Sequence, residues 1–266
     1  MTRSLATGAR RLLIASLIVT GGTLAAAAPV GAAEGKAVPG MDWSFDGPFG
    51  TFDRAQLQRG YQVYREACSA CHSMSLLSLR NLAEEGGPEL SAKAVKTLAA
   101  EFEVQDGPND EGEMFTRPGI PSDPFPSPFP NEQAARAANN GALPPDLSVI
   151  TKARPHGPDY LYALLIGYEE PPVGVKLREG MNYNAYFPGN EIAMGLPLFD
   201  EGVEYADGST QTVKQYAEDV SAFLMWAAEP TLEARHRMGF NVMIYLIILS
   251  GLLYATKRRL FAKVAH

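Results

Sequence analysis

The two cysteines of this 266-residue chain are Cys68 and Cys71, and His72 directly follows the second. Cys68-Ser-Ala-Cys71-His72 thus has the C-x-x-C-H form that attaches a c-type haem. The spacing has a chemical reason. Two thiols one helical turn apart can each add to a haem vinyl group as thioethers, and the next residue then lies under the iron as a proximal imidazole. A thioredoxin-like redox pair would want a βαβ context and would leave His72 unexplained. A structural zinc site would need more thiolates or a paired histidine motif, and the chain has no further cysteine.

The two ends of the chain bear on where such a haem would sit. Residues 1–33 read as a cleaved signal peptide: Arg3, Arg10 and Arg11 precede the apolar run Leu12–Val19, and small residues lead to a cleavage site near Ala33. In the oxidising compartment this implies, a C-x-x-C pair closes as a disulfide unless something captures the thiols. At the other end, Met238 to Thr256 is a run of 19 residues without a charge. As a helix it spans roughly 28 Å, the thickness of a bilayer's hydrocarbon core. Lys257, Arg258, Arg259 and Lys263 follow, so the positive-inside tendency predicts a cytoplasmic C-terminus and a haem domain on the periplasmic side. The expected organisation is a signal at 1–33, a periplasmic haem domain at 34–235, a membrane anchor at 236–257 and a cytoplasmic tail at 258–266.

Setting aside the three signal arginines and the four basic residues of the tail, residues 34–256 hold 16 basic against 30 acidic groups. That balance excludes nucleic acid as a partner. It suits encounter with a basic protein, and equally simple solubility.

Within the domain, residues 53–67 form an amphipathic helix leading into the motif, with Leu57, Tyr61, Tyr64 and Cys68 on one face. Gly60 is costly in a helix interior; a close helix crossing would justify it, and so would a tolerated surface position. Residues 212–228 put Val213, Tyr216, Val220, Leu224 and Ala227 on a second stripe, with Thr212 and Gln215 spaced for a capping box. Two helices crossing beside a haem is the arrangement of class I c-type cytochromes. The second helix is expected to run on through Glu229-Pro230 towards the membrane segment. Further helices are expected at Asn131–Asn139 and Pro158–Gly167. Residues 101–131 combine acids with seven prolines, which predicts an extended surface loop. The fold class is mainly α: a class I c-type cytochrome-like domain with long irregular insertions and one C-terminal transmembrane helix.

A haem bound by His72 alone would be open to small-molecule chemistry, whereas a sixth ligand would make it an electron carrier. His266 is terminal and His236 abuts the membrane, so both are poor candidates. His156 lies in a Pro/Gly turn and could reach a haem. Met194 lies in the apolar loop Glu191-Ile-Ala-Met-Gly-Leu-Pro-Leu198, and a thioether there suits a weak axial bond that raises the potential. Core filling is the usual role of a methionine, so residue types leave the choice open.

Six stretches carry a more specific signal: Tyr64-Arg-Glu-Ala-Cys-Ser-Ala-Cys-His72, Ala137-Ala-Asn-Asn-Gly-Ala-Leu-Pro-Pro-Asp-Leu147, Gly167-Tyr-Glu-Glu-Pro-Pro172, Tyr186-Phe-Pro-Gly189, Ile192-Ala-Met194 and Trp226-Ala-Ala-Glu-Pro230. In this order they resemble the cytochrome c1 family, the haem subunit of bacterial ubiquinol–cytochrome c reductase (the cytochrome bc1 complex), over roughly residues 40–259. The resemblance implies one covalent haem c on Cys68 and Cys71, with His72 and Met194 as axial iron ligands. It implies that Arg154 pairs with a haem propionate, sound chemistry for a guanidinium. Asn139, Pro144, Pro145, Tyr160, Phe187 and Ile192 match positions lining the family's haem pocket. It implies electron transfer from the Rieske iron–sulfur subunit to a c-type cytochrome, with cytochrome b as a further partner in a dimeric complex. The enzyme would then be the complex, and no catalytic residue is expected here. Some relatives carry an additional disulfide. This chain cannot form one, so its methionine loop is expected to be held by packing alone.

Overall fold

Asp53 starts the helix that carries the motif. The computed structural model describes residues 36–263; the signal at 1–33 and the last three residues of the expected tail lie outside them. The Asp53 carboxylate accepts from the backbone N–H groups of Ala55 (2.9 Å) and Gln56 (3.2 Å), filling donors that a helix start leaves open. Helix α1 runs Arg54–Val63 and buries Leu57, Gly60, Tyr61 and Val63. An ordinary helix was expected to continue to residue 67. Instead Tyr64–Cys68 widens into a π-helical turn, closed by Ser69 N–H donating to Tyr64 O at 2.8 Å. Such single-turn insertions collect at functional sites, and this one ends on the first motif cysteine.

The partner of α1 is α5, Val213–Ala228, capped by Thr212 accepting from Gln215 N at 3.4 Å. Only this half of the expected capping box forms, because Gln215 Oε1 accepts from Thr210 Oγ1 (3.4 Å) instead of the Thr212 N–H, while the amide nitrogen donates to Asp219. α5 buries Tyr216, Val220, Leu224 and Ala227 of the expected stripe, with Phe223 and Trp226 beside them. Gly60 is the crossing point: a Cβ there would lie 2.1 Å from Asp219 O and 2.6 Å from Phe223 Cβ. This decides between the two readings of Gly60. Tyr61, Tyr64 and Trp226 pack around Phe223 at ring separations of 5.7, 5.8 and 5.5 Å. Below the crossing, the fully buried Asp219 accepts from Arg59 (2.9 and 3.1 Å), Tyr205 OH (2.9 Å) and Gln215 (3.1 Å).

The remaining elements cover this pair. α2 (Ala92–Ala99) is an unanticipated helix capped by Ser91, with Val95, Leu98 and Ala99 buried. α3 (Glu132–Ala138) is capped by Asn131, and α4 (Gly157–Ile166) packs on α5; both were expected. Residues 101–131 are not one extended loop. Strands β1 (Glu103–Asp106) and β2 (Phe115–Pro118) pair antiparallel, because Arg117 bridges to Asp106 and, bidentate at 2.7 and 2.9 Å, to the buried Asp123. A second two-stranded piece joins β3 (Asn182–Tyr183) to β4 (Glu191–Ile192).

The continuation of α5 into the membrane segment also needs correction. α5 ends at Ala228, Glu229 leaves helical geometry (φ −145°, ψ 63°), and α6 begins afresh at Leu232. Pro230 disfavours helical backbone at the residue before it and offers no donor. Glu229 holds the break by pairing with Lys152 (2.7 Å) and Arg235 (2.8 Å). α6 then runs without interruption from Leu232 to Leu260, long and apolar enough to cross a membrane. Most of its large apolar side chains from Met238 to Tyr254 are exposed.

Candidate functional site

After the π turn, Cys71 N–H (3.1 Å) and His72 N–H (2.9 Å) both donate to Cys68 O, so the motif is one tight backbone turn. Both thiols are free; Cys68 is half-buried and Cys71 exposed. Burial, with Cys71 adding to it, pushes the Cys68 thiol up to about 12. The half-buried His72 ring places Nδ1 2.8 Å from Pro145 O. A carbonyl can only accept, so Nδ1 carries the proton and Nε2 keeps its lone pair. Burial also lowers the imidazole below its ordinary range, so the ring is neutral at neutral pH. It has the protonation state and tautomer of a metal ligand.

Asp146 ties this turn to the segment after α3. One carboxylate oxygen accepts from Ser73 Oγ (2.8 Å), Ser75 N (2.9 Å) and Ser75 Oγ (2.7 Å), and the other from Ser148 N (2.8 Å). Burial alone would raise this carboxyl, but the bonds from Ser148 and Ser75 outweigh it and hold it well below the usual range. Leu147 N–H donates to Ser73 O at 2.8 Å. Residues 72–76 and 145–148 are therefore one hydrogen-bonded unit. Asn139 caps α3 with its amide on Ala135 O (2.7 Å), Pro144 is half-buried and Pro145 exposed.

The second group of expected site residues is built on α4 and the β3–β4 pair. Tyr160 is buried on α4, close enough to Tyr168 to help raise the Tyr168 hydroxyl beyond what burial alone does. Ile192 is buried, and Phe187 and Met194 are half-buried. The Met194 carbonyl accepts from Tyr168 OH (3.1 Å) and Asn182 Nδ2 (3.2 Å). The expectation of packing alone is thus too simple, because side-chain hydrogen bonds hold this loop as well. Arg154 is exposed and donates to Ala153 O. His156 is exposed at the start of α4 with φ 65°. Among the described residues no hydrogen bond joins the His72 unit to the Met194 loop. Sequence reasoning missed Asp146, Tyr168 and Asn182 as organisers, although the Asn182-x-Asn184 spacing and Tyr168 after Gly167 were visible.

The donor set fits a haem c: two thiols at thioether spacing and an oriented neutral imidazole. It does not fit a bare metal cage, since among the described residues no group of three His, Cys, Asp or Glu is placed to hold an ion.

Comparison with known sequences points the same way. Residues 43–264 match the Cytochrome C1 family. A cytochrome b/c1 of Bradyrhizobium diazoefficiens is 55% identical over 243 residues, 84% of this chain and 35% of that protein. The chain thus spans about a third of that relative's length. A mitochondrial cytochrome c1 heme protein of Arabidopsis thaliana is 54% identical over 86% of this chain and 73% of its own length. The Saccharomyces cerevisiae protein of that description is 52% identical over 84% and 72%.

Proposed function

Because this chain belongs to the cytochrome c1 family, whose members carry covalent haem c and transfer electrons, we propose how its residues serve that role. Cys68 and Cys71 hold the haem c through thioethers, and His72 Nε2 is the proximal ligand. The observation that carries this is the His72 Nδ1 contact with Pro145 O, which orients the ring and leaves Nε2 as the basic nitrogen. Met194 would hold the iron through its thioether, Arg154 would pair with a propionate, and Asn139, Pro145 and Tyr160 would line the pocket. Haem c supplies one-electron iron chemistry when bound. The chain's own part would be to hold the iron with His72 and Met194 and so exclude water and small molecules from it. It also sets the potential, which a thioether ligand and an apolar pocket raise.

The electron comes from the Rieske iron–sulfur subunit and goes to a c-type cytochrome. The oxidoreductase activity belongs to the assembled, dimeric complex with cytochrome b. α6 anchors the chain, with the basic residues after Thr256 on the cytoplasmic side and the haem domain on the periplasmic side.

The test is purification of the full chain from solubilised membranes, with redox titration of wild type and Met194→Leu. Cytochrome b and an iron–sulfur protein should come with it. Met194→Leu should keep its haem through denaturing electrophoresis while its midpoint potential falls strongly. An unchanged potential would move the sixth ligand elsewhere, and a chain that purifies without those partners would refute the proposed donor.

A further inference from the structure

A weak thioether ligand must be held in place by something other than its own bond. In this chain no cysteine remains outside the haem motif to cross-link the methionine loop. Both lone pairs of the Met194 carbonyl are nevertheless engaged, by Tyr168 OH at 3.1 Å and Asn182 Nδ2 at 3.2 Å. The two donors come from different parts of the fold. Tyr168 lies just beyond the end of α4, and Asn182 opens β3, where register sets it opposite Ile192.

The hairpin beneath is itself pinned. Fully buried Asn184 donates to Leu164 O on α4 (2.8 Å) and accepts from the N–H groups of Tyr186 (3.0 Å) and Phe187 (3.2 Å). Asn190, in the left-handed region at φ 60°, closes the turn by donating to Asn184 O and Ala185 O at 3.0 and 3.1 Å. Asparagine is among the few residues with a side chain that adopt that backbone readily. The frame that presents Asn182 is therefore fixed to α4, as Tyr168 is. With both bonds made, the backbone at 194 cannot turn without leaving two half-buried donors unpartnered.

We propose that Tyr168 and Asn182 are positioning residues: a two-point clamp on the Met194 carbonyl that holds the thioether on the iron without a covalent cross-link. The proposal rests on Met194 being the sixth ligand. Neither residue touches iron; each acts through the backbone of the ligand.

The experiment compares haem-loaded full-length chain in detergent as wild type, Tyr168→Phe, Asn182→Ala, the double variant and Met194→Leu. Three quantities are read: the methionine-to-iron charge-transfer absorption of the ferric haem, carbon monoxide binding to the ferrous haem, and the midpoint potential. At the usual net worth of a hydrogen bond, each single change should raise the ligand-off population, seen as carbon monoxide binding, by roughly three- to tenfold. The double variant should approach the product of the two, with a weakened band and a lower potential. Tyr168→Phe keeps the ring, and neither position lies in the α1–α5 crossing, so haem content should stay at the wild-type level. A double variant with wild-type carbon monoxide binding, band and potential would overturn the clamp. Met194→Leu separates the two ideas. If it keeps the band, the ligand assignment itself fails; if it loses the band while the double variant is unaltered, only the clamp fails.

Discussion

Gly60→Ala sets two effects of opposite sign against each other. Gly60 lies inside α1 with ordinary helical backbone, so helix propensity alone predicts a gain of about 1 kcal/mol from alanine. The crossing predicts the reverse. The added methyl would lie 2.1 Å from Asp219 O, 2.6 Å from Phe223 Cβ and 2.7 Å from Asp219 C, where carbon contacts settle at about 3.5–4.0 Å. The obstacle is mainly backbone, so no rotamer change relieves it and α5 must retreat by about 1 Å or more. That retreat loosens the Arg59 and Tyr205 bonds to Asp219 and the packing of Tyr61 and Tyr64 on Phe223. Overpacking of a close contact costs about 1–3 kcal/mol, and the disturbed bonds around Asp219 add to it. Net of propensity, the expected loss is about 2–4 kcal/mol. For a domain of this size that lowers the unfolding temperature by roughly 5–15 °C. The assay is thermal unfolding of the detergent-solubilised holoprotein by circular dichroism. Gly239→Ala serves as the control, since its methyl meets nothing within 4 Å, and it should unfold at or slightly above the wild-type temperature. Gly60→Ala unfolding at or above wild type would refute the crossing as the reason for this glycine.

Two further outcomes follow from the charged groups. Asp219→Ala leaves Arg59 and Tyr205 OH without their buried partner; breaking such a pair costs about 3–5 kcal/mol. Asp207, 3.0 Å from Arg59 Nη1, places the expected value at the lower end. A denaturation midpoint shifted no more than by removal of an exposed charge would show that Asp219 does not organise the crossing. Glu229 gives a pH dependence. Its hydrogen bond from Lys152 holds its carboxyl below the ordinary range, against burial and with help from the charges of Lys152 and Arg235. A depressed folded-state value contributes stability above the ordinary glutamate value of about 4.3 and loses it as pH falls through the folded value. Glu229→Gln should therefore be less stable than wild type by about 1 kcal/mol or less at pH 7, since Lys152 is half exposed. The gap should close as pH falls below about 4; a gap that persists in acid would mean that Glu229 acts through shape and not charge.

How much of this was legible depended on whether the signal was local. The α1 and α5 stripes and the cap at Thr212 could be read directly, because three- and four-residue spacing and an N-cap are properties of a few neighbouring residues. The π turn could not: one inserted residue shifts the phase of the stripe without breaking it, and Tyr64 and Cys68 remain apolar either way. The β1–β2 hairpin was hidden by its prolines and acids, since Arg117 is placed by carboxylates before and after it. The end of α5 was a different failure. Pro230 is a local stop signal, and the apolar run beyond it wrongly outweighed it. The site divided in the same way. The motif and Met194 were legible as residue types, whereas Asp146, Tyr168 and Asn182 act across gaps that only the fold closes.

That division matches what each proposed ligand needs. His72 sits in the turn after a helix locked by a crossing with no space for a methyl, and Asp146 fastens that turn to the segment after α3 with three hydrogen bonds. Moving that imidazole would mean disturbing the core. Met194 lies two residues beyond a two-residue strand pair and is held by two hydrogen bonds to one carbonyl, so its freedom is set by a few side chains that could change without harming the fold. With Met194 as the proposed sixth ligand, a cytochrome whose potential depends on a weak sixth bond would be adjusted on the Met194 side alone. The Gly60 and clamp variants test this asymmetry together: the first should lower unfolding temperature, the second potential and ligand exclusion.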